Sequence, residues 1–281
     1  MNLSTYSIVA RDSKTGYLAV AGGTNWFCYG RWVLHIEAGF GSLATQAQTN
    51  MWYAPNGLEN LKKGLSAEDT LKDLLKRDPD KGGIYQLLII DNVGRTACYT
   101  GKANHHYAGQ ILDNNFGVAG NTLVSEKTLQ AVFKFYKNSK LSFALKIIKA
   151  LQEGHKAGGD IRGMKSAALK VAKGKSSGKY WNDLIYDLRV DESSDPLKEL
   201  ERLYYIAEAY GYIDKAESAI NINKSLVYYQ KALKLDPDNE EIMFWIARNY
   251  NVQGNKNESD KIMKKLRKGK GKWEEYWRRL D

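Results

Sequence analysis

The sequence predicts an α+β fold with antiparallel sheets, followed by a smaller all-α helical domain. Three observations predict it. Turn-linked pairs of β-type segments begin within the first ten residues, helical blocks separate these pairs, and the strand signal stops after Asp195-Pro196.

Residues 6–10 and 17–22, rich in Val, Ile, Tyr and Ala, flank Asp12-Ser13-Lys14-Thr15-Gly16, whose residues favour a turn; together they predict a β-hairpin. Further strands are predicted at 39–45, 85–91, 95–100, 116–120, 166–171 and 184–190, with turns at Asp91-Asn92-Val93-Gly94 and 173–178. Ser66-Ala67-Glu68-Asp69 has the pattern of a capping box, and Leu71, Leu74 and Leu75 continue it at helical spacing. Residues 125–136 and 142–151 form a second helical pair. Beyond the boundary, 228–235 and 240–253 are helices separated by Asp236-Pro237-Asp238-Asn239, and Gly254 ends the second. This register resembles tetratricopeptide repeats. Tyr229, Ala232 and Pro237 match the close of one repeat, and Ile246, Ala247, Tyr250 and Gly254 match the next. One clear and one degenerate repeat span about 199–272. An independent solenoid needs about three, so the expectation is a segment that docks on the first domain or is capped by the helix of Trp273, Tyr276 and Trp277. The domains read as 1–195 and 196–281.

Of 281 residues, 43% are hydrophobic and 26% charged, enough apolar material for one or two real cores. The longest strongly apolar stretch is Leu87-Leu88-Ile89-Ile90, far short of the roughly 20 residues a membrane helix needs. Residues 1–4 carry no basic segment leading into an apolar core, so a soluble, cytoplasmic chain is expected. Cys28 and Cys98 follow no metal-type spacing and read as small buried hydrophobes in a reducing compartment. Net charge is +10, and nine basic residues against two acids between Lys261 and Arg279 contribute +7 of it. That run reads as a solvated helix face rather than a nucleic-acid grip.

Familiar catalytic signatures are missing: the chain has no Walker loop, dinucleotide glycine fingerprint, zinc-protease helix or glycine-flanked serine elbow. His105-His106 points to opposite faces if extended and serves one metal poorly. No metal and no cofactor is expected. Glycine-linked polar clusters stand out instead, at 39–46, Gly120-Asn121 and 158–163. Glycine lets a backbone turn sharply or approach a ligand closely, though the same residues also build ordinary turns, and Asp160 with Arg162 also reads as a structural ion pair.

These clusters belong to a longer ordered set. Thr5-Tyr6-Ser7-Ile8-Val9-Ala10-Arg11-Asp12, Ala44-Thr45-Gln46, Thr100-Gly101, Gly120-Asn121, Gly158-Gly159-Asp160, Arg162-Gly163, Ser166-Ala167-Ala168 and Asp187-Leu188-Arg189-Val190-Asp191 occur in the order and spacing of the family of domain of unknown function 1028. The resemblance covers nearly all of residues 5 to 203. That family looks like a member of the N-terminal-nucleophile (Ntn) hydrolases. The resemblance therefore implies a four-layer αββα sandwich and an amidohydrolase acting on a small-molecule amide or short peptide. In such enzymes an N-terminal Thr, Ser or Cys attacks the amide carbonyl, and its own α-amine, with a pKa near 7.7–8.0, takes the proton.

Thr5 stands at the matched start, but four residues precede it, so the implied mechanism requires cleavage between Ser4 and Thr5 or a different initiation site. Ser4 and Ser7 do not occupy that start, and Cys28 would qualify only as an exposed thiolate beside a cation. Chemical grounds assign the supporting cast. Asn121 with its glycine-flanked turn would donate to the oxyanion. Thr24, Gln46 and Asp160 would orient the α-amine. Arg162 would meet a substrate carboxylate, with Gly120 and Thr45 completing the substrate side. The chain departs from the family in two further places: Gly22-Gly23-Thr24, where a small hydrophobe, Ala and Ser are common, and Tyr85, where Arg is usual, which predicts a lost positive charge in the site. The alternative is a non-catalytic binding or scaffolding protein that recruits a protein partner through 196–281. Self-association into a homo-oligomer is compatible with either.

Overall fold

The computed structural model describes residues 2, 3, 5–78, 83–267 and 272–280. In chain order the elements of the first part are β1 (Asn2–Leu3), β2 (Thr5–Arg11), β3 (Leu18–Thr24), α1 (Tyr29–Trp32), β4 (Leu34–Glu37), β5 (Gly41–Gln48), α2 (Tyr53–Lys62), α3 (Ala67–Arg77), β6 (Tyr85–Asp91), β7 (Thr96–Thr100), β8 (Gly109–Asp113), β9 (Phe116–Asn121), α4 (Lys127–Asn138), α5 (Phe143–Lys156), β10 (Ser166–Ala172), α6 (Tyr180–Asp183) and β11 (Leu184–Val190). They are followed by α7 (Pro196–Glu217), α8 (Ile222–Leu235), α9 (Glu240–Val252), α10 (Lys256–Leu266) and α11 (Lys272–Leu280). Two compact units divide the chain, 1–201 and 202–281, and the division falls inside α7.

The first unit holds two antiparallel sheets. One runs β1-β5-β6-β7, with β4 also paired to β5; the other runs β11-β10-β3-β2-β9-β8. The predicted hairpin is β2–β3, with Gly16 at φ 74° in its turn. Period-two alternation then decides what each face meets. Val9, Leu18, Val20, Ala119 and Ala168 of the second sheet pack against Ala44, Leu88 and Ile90 of the first. On the first sheet's other face, Leu43, Leu87 and Ile89 pack on Tyr53, Leu61, Leu71 and Leu74 of α2 and α3. Ser66 caps α3 as its sequence predicts, accepting a hydrogen bond from the Asp69 amide at 3.0 Å.

On the second sheet's outer face, the Tyr6 hydroxyl donates to the Leu151 carbonyl of α5 at 2.9 Å. A Cβ at Gly154 would lie 2.4 Å from Cγ2 of buried Val132 in α4 and 3.3 Å from the Tyr6 ring. Gly154 is therefore what lets α5 approach α4 and the strand that begins at Thr5.

In the second unit, Ala209, Ile213, Leu226, Tyr229, Ala232, Ile242 and Ile246 form one buried cluster, and Phe244, Ala247, Met263 and Leu266 another. Asn239 caps α9 by accepting from the amides of Glu241 and Ile242, and Gly254 at φ 79° follows its end. Trp273 of α11 lies over Phe244 at 5.1 Å between ring centres. Lys268 and Lys270 of the basic run lie outside the described residues. Among the described residues no helix is long and apolar enough to cross a membrane.

Gly154→Ala tests the α4–α5 approach. The substitution raises intrinsic helix propensity, yet overpacking against stiff, β-branched Val132 should outweigh it and cost about 1–3 kcal/mol in urea unfolding. A stabilised variant would refute this close packing.

Candidate active site

The two sheets meet through apolar side chains along most of their length and through polar ones at one end. At that end the register places Asn121, Thr5, Thr24 and Ser166 side by side on β9, β2, β3 and β10. Paired residues of an antiparallel ladder share a face, so this row turns toward the other sheet. There Gln46, Gln86 and Thr100 form a second row across β5, β6 and β7. Thr5, Thr24, Gln46, Gln86, Ser166 and Asn121 are all buried.

Hydrogen bonds join the rows and fix their direction. The Gln86 Nε2 has three acceptors in reach, Thr100 Oγ1 at 2.8 Å, the Gly120 carbonyl at 3.0 Å and the Gly109 carbonyl at 3.2 Å. Carbonyls cannot donate, so this end of the side chain must be the NH2 group. Its Oε1 therefore accepts from Gln46 Nε2 at 2.6 Å and Asn121 Nδ2 at 3.0 Å. The Oε1 of Gln46 is left facing Ser7, whose hydroxyl donates to it. Ser7 Oγ then accepts from the Tyr29 hydroxyl at 2.8 Å. Burial raises the Tyr29 pKa, which keeps that phenol protonated for the task. With its proton held by Gln46, Ser7 is unsuited to act as a nucleophile.

Asp160 sits at the end of the Thr5 row. Leu123, two residues beyond Asn121, bridges it in antiparallel fashion; the Val124 amide donates to the Gly159 carbonyl and the Ile161 amide to the Thr122 carbonyl. On the other flank the Asn25 amide, one residue beyond Thr24, donates to Asp160 Oδ2 at 3.3 Å. Because β9 and β3 are the two neighbours of β2, residues 159–161 occupy the line that β2 would follow beyond Thr5. Asn2 and Leu3 pair with Gln48 and Ala47 of β5 in the other sheet.

Thr5, Thr24, Gln46, Gly120, Asn121 and Asp160 are thus brought to one end of the sandwich. Arg162 is there too, donating to Asp160 through Nε (3.2 Å) and Nη2 (3.0 Å). Thr45 is not in the cluster. It alternates with Gln46, so its side chain lies on the face toward α2, where its hydroxyl reaches the Asn50 carbonyl. By the same alternation Tyr85 lies on the face toward α2, not in the Thr5 row, and packs edge-on against Tyr53 at 5.5 Å. Burial and a hydrogen bond to Asp191 push the Cys28 thiol up despite Arg189 and Arg31, so it is no stabilised thiolate. Among the described residues no group of three His, Cys, Asp or Glu could hold a metal.

Sequence reasoning did not single out Tyr29 and Gln86, and it gave Ser7, Thr100 and Ser166, present in the quoted motifs, no part in the site. The available signal was Gln86 itself, a lone amide in the otherwise apolar run Leu87-Leu88-Ile89-Ile90 and its approach. Gln86→Leu would leave the Gly109 and Gly120 carbonyls and the amides of Gln46 and Asn121 short of partners, and should cost about 3 kcal/mol or more in chemical unfolding. Gln86→Glu puts a carboxyl against two carbonyl oxygens in a buried site. Its folded-state pKa should rise above the unfolded value, so the destabilisation should grow as pH increases through the carboxyl range. Equal unfolding midpoints for Gln86→Glu and wild type at every pH would contradict the network.

The model of a family of unknown function, DUF1028, matches residues 5–200. The crystal structure of a DUF1028 protein from Silicibacter pomeroyi is 28% identical, with a TM-score of 0.64 over 72% of this chain and 88% of that one. Two ancestral β-subunit (Anbu) structures align over 77% of this chain at TM-scores too low to bear on its fold. The one from Yersinia bercovieri has 13% identity, 99% of its length covered and a TM-score of 0.29; the one from Hyphomicrobium sp. strain MC1 has 14%, 98% and 0.34. No curated protein matches. Over the greater part of its length, the chain belongs to the DUF1028 family.

Proposed function

We propose that the first unit is an N-terminal-nucleophile amidohydrolase with a four-layer αββα sandwich, acting through Thr5 on a small or short peptidic amide. The observation that carries this reading is the end of β2: residues 159–161 fill the strand's line beyond Thr5, so this position is a natural place for a chain terminus. Once the Ser4–Thr5 bond is cut, the α-amine of Thr5 takes the proton of its own hydroxyl, and Oγ attacks the substrate carbonyl carbon. The leaving amine carries the proton away, and water then hydrolyses the resulting ester. Asn121 spends one Nδ2–H on Gln86 and has a second to offer the oxyanion. Thr24 and Asp160 flank the amine, and Gln46 acts on the site by holding Ser7 and Gln86 rather than by carrying protons.

A second reading, a scaffold that recruits a protein through tetratricopeptide-like helices within 196–281, is favoured by the full burial of Thr5 and Thr24. Intact mass and N-terminal sequencing of purified protein separate the two. The enzyme reading expects a chain beginning at Thr5, with Thr5→Ala retaining the preceding residues. A wild-type chain that always keeps Ser4 would sink it. The scaffold reading predicts instead that deleting 196–281 abolishes partner recovery while Thr5→Ala does not.

A further inference from the structure

The six-stranded sheet ends in β11, which pairs with β10 and, among the described residues, with no strand on its other side. Natural sheets blunt their edges with short strands, charged side chains, bulges or prolines. β11 has no proline or lysine and at seven residues is as long as β2, β3 and β10; its sequence, Leu184-Ile185-Tyr186-Asp187-Leu188-Arg189-Val190, carries two charges, and its register with β10 shifts once, between Val171 and Ala172. The opposite edge is treated differently, because β8 is tied to the other sheet by Thr96 donating to the Asp113 carbonyl and Gln86 to the Gly109 carbonyl.

The charges of β11 are arranged for a particular partner. Asp187 and Arg189 are exposed, lie on one face and flank Leu188. Across β10, Asp187 is opposite Lys170, whereas Arg189 is opposite Ala168 and, among the described residues, meets a carboxylate within its own strand, 3.5 Å away at Asp187. We infer that β11 is the interface to a second copy of this chain, paired antiparallel about a two-fold axis at Leu188. That register sets Asp187 against Arg189 of the partner subunit, and the reciprocal pair follows by symmetry. Each guanidinium gains the cross-strand carboxylate that β10 does not supply, and the two sheets join into one. Tyr180 and Trp181, 68% and 76% exposed, lie on α6, which leads into the strand.

Sedimentation equilibrium of the full chain reads the dissociation constant. Wild type should be a dimer. Asp187→Arg and Arg189→Asp each place like charges opposite one another twice, and each should weaken association about tenfold. The double exchange Asp187→Arg with Arg189→Asp restores opposite charges and should recover most of the loss. A monomeric wild type, single variants with unchanged affinity, or a double variant as weak as the singles would each overturn the proposal. Hydrogen exchange on the wild type gives a check that needs no substitution. Amides of residues 184–190 should exchange faster on dilution below the dissociation constant, and exchange rates independent of concentration would count against the interface.

Discussion

The constraint on which the candidate site depends is the orientation of one buried amide. Gln86 belongs to one sheet, yet the carbonyls its NH2 group meets belong to β8 and β9 of the other. Those acceptors leave no choice about which end of the amide carries the protons, and the choice propagates through Gln46 and Ser7 to Tyr29, and separately to Asn121. Each such bond adds only about 0.5–1.5 kcal/mol net, whereas each group left unpaired in this interior costs about 1–3 kcal/mol. The network therefore contributes less as a source of stability than as a condition: the sheets can close at this end in one arrangement of donors and acceptors.

The same end holds the one buried carboxylate of the cluster, and its cost explains the local architecture. An unpaired Asp160 in this interior would be strongly destabilising. Arg162 offers it two side-chain donors and a backbone amide, and Asn25 adds another amide. Those bonds hold residues 159–161 against β9 and β3. A glycine pair, Gly158 at φ 124° and Gly159 at φ 60°, lets the chain turn into that position from the end of α5. The cluster 158–163 is thus best understood as the device that ends β2.

Much of this was legible because a short run of apolar and small residues bounded by turn signals marks a strand buried on both faces. β2, β3, β6, β9 and β10 are such runs. β8 is not, since Gly109-Gln110-Ile111-Leu112-Asp113 is half exposed and weakly patterned. Nor was α2 legible, whose Pro55 and Gly57 read as breakers. Pro55 lies in the first turn, where its missing N–H is harmless, and a Cβ at Gly57 would stand 2.8 Å from the Leu43 side chain. At the site, the motif Ala44-Thr45-Gln46 shows which residues travel together but not which face each takes, so Thr45 and Gln46 read alike although they point to opposite layers. Partnership across the two sheets was invisible for a related reason: Gln86 meets Asn121 from 35 positions away, and no local pattern records that approach.

These arrangements bear on how a freed Thr5 amine would behave in the proposed enzyme. Burial disfavours its ammonium form, and a carboxylate at the end of the same row favours it. The two effects are unequal, because the charge of Asp160 is already engaged by the Arg162 guanidinium at 3.0 Å, and what reaches the amine is closer to the field of a dipole than of a bare anion. Ser7, Tyr29, Gln46, Gln86 and Asn121 add no charge, and Tyr29 is held neutral by burial. In the proposed enzyme desolvation would then be the larger influence, and it would favour the neutral amine that attack by Oγ requires. An uncharged network is the suitable neighbour for such a base, since it can orient the amine without competing for its proton.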